Sequence, residues 1–159
     1  MVCFNMYIFD RQGVCLHYQE WFRPKSVRQG AGTLIDDQKQ MFGLFWTLSN
    51  FAATLDPKEL SKPPLGTPRK IGQGCKWHAF TSNTYKLHFL ESPSGIKVVL
   101  NTSPDVGDLR DVMSYIYDEI FVEYVVKNPL YTRGTPFKIE QFNNALNGFL
   151  RSKGLLQAI

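Results

Sequence analysis

Residues 85–103 read YKLHFLESPSGIKVVLNTS, and this stretch decides the fold class. It contains two apolar-rich runs on either side of a short polar turn. In residues 85–89 and again in residues 96–100 every second residue is apolar, which is typical of strands in an antiparallel sheet. Proline presets a turn dihedral angle and glycine permits a positive one, so Pro93 and Gly95 predict the bend of a hairpin.

The serines of this turn raise the alternative of a nucleophilic site. A reactive serine at a strand-to-helix elbow belongs to a G-x-S-x-G motif, and another type of reactive serine has an S-x-x-K companion. Ser92 and Ser94 lie between two predicted strands instead, and Ser94 and Lys97 have this spacing on a strand, where they do not share a helical face. We therefore interpret both serines as turn residues.

Three further strands are predicted elsewhere in the chain. Residues 2–9 (VCFNMYIF) and 14–22 (VCLHYQEWF) are rich in aromatic and branched residues and flank a turn at 10–13, so they predict a first hairpin. Residues 76–82 (KWHAFTS) predict a strand before the second hairpin. The sheet is therefore expected to contain five strands.

Three helices are predicted, over residues 33–55, over residues 107–127, and after Thr135 and Pro136, which serve as cap and first turn. Residues 152–159 are expected to fray. Apolar residues at i, i+3 and i+4 spacing predict a core-facing stripe on each helix. The stripes are Met41, Leu44, Phe45, Leu48, Ala52 and Leu55, then Leu109, Val112, Met113, Ile116 and Ile120, then Ile139, Phe142, Leu146, Phe149 and Leu150. The order of elements is β-β-α-β-β-β-α-α, an α+β class.

A second set of apolar residues lies outside these stripes. Its members are Phe42, Trp46 and Ala53 on the first helix and Val122, Val125 and Val126 on the second. Apolar ridges on helices that already have a core stripe favour a surface for a protein partner. Packing of the helices against each other is the alternative that the pattern leaves open. We predict that these six residues contact a partner.

The domain organisation is predicted to be a single domain over residues 1–159. Residues 56–74 are rich in proline and glycine and predict a long connection. The segments on either side of this connection are too short to form two separate cores.

Composition narrows the function classes. The net charge of +4 is spread thinly along the chain, whereas a nucleic-acid groove requires concentrated basic residues, so we expect no nucleic-acid partner. Cys3, Cys15 and Cys75 form no C-x-x-C pair, and no phosphate-binding glycine motif occurs. The start of the chain interrupts its apolar run with Asn5 and Asp10, so we expect no secretory leader and a cytosolic setting.

Candidate catalytic residues are few. His17, His78 and His88 each fall within a predicted strand, and a catalytic arrangement would also require a nucleophile and an orienting acid. The acids near helix starts, which are Asp36, Asp37, Asp105, Asp108 and Asp111, are accounted for by the helix dipole. We therefore predict no catalytic residue, no metal and no cofactor, and a small histidine-dependent enzyme stays open as an alternative.

Four stretches carry a resemblance to a known family. They are YIFDRQGVCLHYQEW (7–21), NTYKLHFLESPSGIKVVLNT (83–102), YIYDEIFVEYVVKNP (115–129) and FKIEQFNNALNGFLRS (137–152). In this order they resemble the small longin-type core subunits of the trafficking protein particle (TRAPP) complex. The resemblance implies a longin or SNARE-like fold, with a five-stranded antiparallel sheet, one helix on one face and two on the other.

The resemblance also implies a function. Complexes of this family are guanine-nucleotide exchange factors for Rab GTPases in endoplasmic reticulum-to-Golgi traffic and autophagy. Such a subunit pairs with a second longin-type subunit and with a subunit of the other TRAPP fold, and together they present a surface that opens the Rab nucleotide pocket. It would be non-catalytic and cytoplasmic, with indirect contact to endoplasmic reticulum and Golgi membranes. A longin-fold subunit of a vesicle coat or adaptor is the alternative.

Overall fold

The computed structural model of the protein describes residues 2–23, 34–58 and 77–156. Its strands and helices follow the predicted order. The strands are β1 (Cys3–Phe9), β2 (Cys15–Glu20), β3 (Ala79–Thr81), β4 (Lys86–Glu91) and β5 (Lys97–Thr102). They form one antiparallel sheet in the order β2-β1-β5-β4-β3. The predicted five-stranded α+β fold is confirmed.

The hairpin predicted from residues 85–103 is also confirmed. Strands β4 and β5 pair from Glu91 and Lys97 at the turn to Lys86 and Thr102 at the far end. The backbone N–H of Ser92 donates to the carbonyl of Ile96 at 2.9 Å, and Gly95 has a φ of +87°. The turn therefore uses glycine at the position where a side chain would be strained.

Helices cover both faces of the sheet. Helix α1 (Leu34–Thr54) lies on one face, where Phe45 joins a buried cluster with sheet residues such as Phe9 and Val99. Helix α2 (Arg110–Tyr115), the π-helix that continues it (Ile116–Val126) and α3 (Glu140–Ser152) cover the other face. This arrangement has one helix on one face and two helical arms on the other, as the family resemblance implied.

The predicted core stripe of α1 is confirmed only in part. Leu44 and Phe45 pack on the sheet cluster as expected. Leu55 is 61% exposed, whereas Phe42, outside the predicted stripe, packs on the core. The reason is that Phe42 packs directly over Gly13, where an added Cβ would lie 2.9 Å from the phenylalanine ring.

The second predicted helix differs from an α-helix in its C-terminal half. After α2 the chain forms a π-helix over Ile116–Val126, whose i→i+5 hydrogen bonds continue to its end, where the N–H of Lys127 donates to the carbonyl of Val122 at 3.0 Å. The buried residues of this segment are Ile116, Ile120, Phe121 and Val125. Their spacing of four and five residues matches the wider turn, which brings Val125 into the core.

The third helix begins later than predicted. Thr135 and Pro136 do not cap it, because α3 starts at Glu140 and Thr135 instead hydrogen-bonds to the carbonyl of Thr132. We call residues 127–139 the strap. Within the strap, the backbone N–H of Phe137 donates to the carbonyl of Leu16 on β2 at 2.9 Å, and this bond holds the chain extended against the sheet.

The chain after α3 is ordered where it was expected to fray. Gly154 has a φ of +70° and ends the helix, and the N–H of Leu155 bonds back to the carbonyl of Leu150 at 3.0 Å. Leu155 is buried, and its carbonyl accepts from the N–H of Cys3 at 2.9 Å. This hydrogen bond attaches the segment after α3 to the start of β1.

Some predictions fall outside the described residues. These are the predicted cap Thr33, Cys75, the start of the third strand at residue 76, residues 59–74 of the predicted connection, and residues 157–159 of the tail.

Candidate protein interface

The histidines do not form a common site. His17 lies on β2 and His88 on β4, and the two strands between them put the histidines about 14 Å apart at ~4.8 Å per strand. Nε2 of His88 lies 3.1 Å from Oγ1 of Thr102 in the core. His78 is exposed beside β3. Burial lowers the pKa of His17, and burial and then Lys86 lower that of His88 to about 4, so both rings are neutral at pH 7.

The candidate acids have local partners. Asp37 accepts a hydrogen bond from Arg23 at 2.8 Å, and a side-chain hydrogen bond from Arg110 lowers the pKa of Asp108. A hydrogen bond from Ser103 lowers the pKa of Asp105. Within residues 2–23, 34–58 and 77–156, no group of three His, Cys, Asp or Glu side chains is arranged to hold a metal ion.

Two of the six predicted interface residues belong to the core. Ala53 is 1% exposed under α1, and Val125 is fully buried under the π-helix. Neither side chain is accessible to a partner while the domain is folded. We therefore remove both from the predicted interface, and Phe42, Trp46, Val122 and Val126 remain as candidates.

The first candidate surface lies along one side of α1. Trp46 is 43% exposed, and Phe42 is half-buried beside it. Between α1 and the β1–β2 hairpin runs a groove of about 400 Å³, lined by Phe42, Ile35 and Cys15 among others. Ile35 and Phe42 line the groove, and Trp46 follows Phe42 by one helical turn on the same side of α1. We call these three residues the groove side of α1.

The opposite side of α1 carries a ridge of apolar residues. Leu48 and Leu55 were predicted to lie in the core stripe, and Phe51 was not singled out. In the structure these three residues, which we call the α1 ridge, follow one another at spacings of three and four. Phe51 is 58% exposed and Leu55 is 61% exposed, whereas Leu44, one turn before Leu48, packs on the core. Apolar residues on all sides of this helix were the signal, but the sequence alone does not say which side faces the sheet.

The third candidate surface lies on the π-helix. Val122 and Val126 each follow a core residue, Phe121 and Val125 respectively, and so lie beside the buried line. Val122 is half-buried and Val126 is 42% exposed. Because the π-helix covers the face of the sheet opposite to α1, these two valines and the α1 surfaces point to opposite sides of the domain.

None of the helices in the described parts of the chain is both long and apolar enough to cross a membrane. The five-stranded antiparallel sheet with helices on both faces defines a longin-like domain.

Comparison with known proteins gives the family. The model of the Sybindin-like family matches residues 3–153. The chain is 38% identical over 152 residues to trafficking protein particle complex subunit 1 of Rattus norvegicus, which covers 96% of this chain and 94% of that protein. It is also 38% identical over 148 residues to the same subunit of Dictyostelium discoideum, with 93% and 94% covered. The chain therefore belongs to the Sybindin-like family, and the resemblance to TRAPP subunit 1 is confirmed.

A more distant similarity reaches another subunit. The chain is 27% identical over 124 residues to trafficking protein particle complex subunit 4 of Bos taurus, covering 77% of this chain and 50% of that protein. Two differently named subunits of one complex are thus similar to this chain.

Proposed function

We propose that the chain is a non-catalytic core subunit of a TRAPP vesicle-tethering complex. The observation that carries this proposal is the similarity to TRAPP subunit 1, which extends over 96% of this chain and 94% of the rat protein without a missing segment of domain size. A similarity of that extent favours the same position in the same kind of assembly.

The placement of the exposed apolar residues supports a position between neighbours. The α1 ridge and the groove side of α1 lie on one face of the sheet, and Val122 and Val126 lie on the other. A subunit with apolar surfaces on two sides can contact two partners at once. We propose that these two partners are a second longin-type subunit and a subunit of the other TRAPP fold.

The complex is proposed to act as a guanine-nucleotide exchange factor for a Rab GTPase in endoplasmic reticulum-to-Golgi traffic. An exchange factor binds the nucleotide-free GTPase more tightly than the loaded form, and this difference in affinity weakens nucleotide binding. No covalent bond changes, so the contribution of this chain is to hold the composite surface in shape. Its location would be peripheral at endoplasmic reticulum and Golgi membranes.

The proposal is tested by purifying the tagged full-length chain from cytosol and identifying its partners by mass spectrometry. We expect TRAPP subunits, and a nucleotide-release assay on the purified complex should lose activity when this subunit is left out. Recovery of large coat chains in place of TRAPP subunits would favour a vesicle-coat or adaptor function. Full exchange activity without the subunit would remove it from the exchange reaction.

The alternative of a small enzyme is tested on the same complex. Under our proposal, replacing His17, His78 and His88 together should leave partner assembly intact. Under the enzyme alternative, the same change should abolish turnover. His17 and His88 are buried, so replacing them can also disturb the fold. The single variant His78→Ala changes an exposed residue, and we expect it to yield as much assembled complex as the wild type.

A further inference from the structure

The strap, residues 127–139, makes one described backbone hydrogen bond to the sheet. Phe137 is its only buried residue, and the backbone N–H of Phe137 donates to the carbonyl of Leu16 on β2. Most other strap residues are exposed, and the Tyr131 hydroxyl bonds within the strap, to the carbonyl of Thr135 at 3.0 Å. Detachment of Phe137 would therefore break the described hydrogen bond between the strap and β2, while Tyr131 and Ile139 also pack on the core.

The ring beneath Phe137 is a histidine. The His17 ring stacks on the Phe137 ring at 5.0 Å between centroids and 10° between planes. The Phe142 ring meets His17 edge-on, also at 5.0 Å. His17 is only 6% exposed, and its Nε2 has no hydrogen-bond partner in the described part of the chain. This nitrogen is the atom that would take up a proton.

The surroundings of His17 do not provide for a charge. A protonated imidazole buried between two phenylalanine rings would lack a partner for its new N–H and would lose its hydration. Burial already lowers the pKa of His17, and a backbone hydrogen bond with Phe137 opposes that shift. Protonation therefore requires the rings to separate.

We propose that His17 is an acid-sensitive latch, whose protonation detaches Phe137 and releases the strap from β2. The neutral ring keeps the stack closed, and the protonated ring is stable only when water reaches it. This inference is independent of the function proposed above, because it concerns the isolated fold.

Other titratable groups lie near His17, but none of them is a described partner for a charge on its ring. They are Cys15 on β2, Asp10 at the end of β1, Tyr131 and Lys138 in the strap, and Glu140 at the start of α3. The Cys15 thiol donates to the backbone carbonyl of His17, and the Asp10 carboxylate accepts from the N–H groups of Gln12 and Val14. None of these groups has a described hydrogen bond or ion pair with the imidazole.

The test measures amide hydrogen exchange by NMR in the full-length chain at pH 7.5 and pH 5.5. An exposed histidine has a pKa of about 6.5, so a state with His17 exposed should gain about tenfold in population over this interval. We expect the protection factor of the Phe137 amide to fall by up to about tenfold. At both pH values it should lie below that of Val99 in the middle of β5, because the strap opens without unfolding of the sheet. An unchanged protection factor at Phe137, or one equal to that of Val99, would overturn the latch.

The control variant is His17→Phe, which keeps an aromatic ring in the stack and cannot be protonated. We expect the Phe137 protection factor to become independent of pH in this variant, and a fall equal to that of the wild type would overturn the proposal. A second measurement needs no variant: NMR titration of the wild-type His17 ring. A pKa below the value of about 6.5 for an exposed histidine supports the latch, and a pKa at or above that value overturns it.

Discussion

Trp77 donates a hydrogen bond from its indole Nε1 to Oγ of Ser49 at 2.9 Å, which joins the chain before β3 to the middle of α1. The Trp77 ring also stacks on Phe89 of β4 at 4.5 Å. The indole thus connects the helix to the sheet through one polar and one apolar contact. This pair fixes where α1 lies on the sheet, and hence which of its sides are exposed.

We expect Ser49→Ala to lower the free energy of unfolding by about 1 kcal/mol, because a side-chain hydrogen bond contributes about 0.5–1.5 kcal/mol. The measurement is urea denaturation of Ser49→Ala, Trp77→Phe and the double variant. If the hydrogen bond contributes as described, the double variant should lose about 1 kcal/mol less than the sum of the single losses. Additive losses would mean that the two residues stabilise the fold separately.

Val126→Asp is expected to prevent co-purification of one TRAPP partner while the domain stays folded. The physical reason is that a charge on an apolar contact surface must lose its hydration when the partner binds. Phe80→Asp is the matched control, since Phe80 on β3 is 37% exposed compared with 42% for Val126 and lies on none of the candidate surfaces. Co-purification of Val126→Asp at the yield of Phe80→Asp would exclude Val126 from the interface.

Trp46→Asp tests the groove side of α1 in the same assay. We expect it to reduce partner recovery, and the circular dichroism spectrum should stay that of the wild type because Trp46 is partly exposed. Phe51→Asp makes the same change on the α1 ridge. Loss of a partner only with Phe51→Asp would move the binding surface to the ridge, and wild-type recovery with both would remove α1 from the interface.

The burial pattern of the π-helix predicts different stability costs for truncating two valines that lie three residues apart. Val125→Ala should lower the free energy of unfolding by about 2 kcal/mol, because a fully buried valine contributes about 1.5–3 kcal/mol. Val122→Ala, at a half-buried position, should cost about half as much or less. Thermal or urea denaturation measures both. Equal costs would contradict the burial pattern that the wide helical turn produces.

The stability of the fold should fall in acid because of His88. Its ring is neutral in the folded protein, where burial and then Lys86 lower its pKa from 6.5 to about 4. Below pH 6.5 the unfolded chain binds a proton that the folded chain does not, so the free energy of unfolding decreases as the pH falls towards 4. The full loss is roughly 3 kcal/mol at 1.36 kcal/mol per pKa unit, and stability should be level above about pH 7.5.

The measurement is urea denaturation of the wild type and of His88→Gln between pH 8 and pH 4. Glutamine keeps a polar group near Thr102 Oγ1 but does not titrate in this range. We expect the variant to lose less stability than the wild type on acidification. Parallel pH profiles for the two proteins would show that His88 is not the group responsible.

The sequence predicted those parts of the fold that depend on local pattern. The β4–β5 hairpin follows from the alternation in residues 85–103 and from Gly95, because a turn and its strands are neighbours in the chain. The orientation of α1 could not be predicted in the same way, since apolar residues surround this helix. The contacts that orient it, of Phe42 with Gly13 and of Ser49 with Trp77, join residues far apart in the chain.

The interface prediction was limited by the assumed helical period. Val125 appeared to lie outside the core because 3.6 residues per turn were assumed, and the π-helix changes that period. The stack of His17 on Phe137 could not be predicted from the sequence either, because it joins an edge strand to a loop far along the chain. A local sequence pattern does not predict a contact between segments that lie so far apart in the chain.

The hydrogen bond from the N–H of Cys3 to the carbonyl of Leu155 makes the described polypeptide nearly circular. A short peptide could join these two ends, and new ends could be opened at the exposed residue Asn83 in the turn before β4. Such a permuted chain would keep every strand pairing of the sheet. Labels attached at Val2 and at Leu156 would lie at the same corner of the domain, and so report on one location within an assembly.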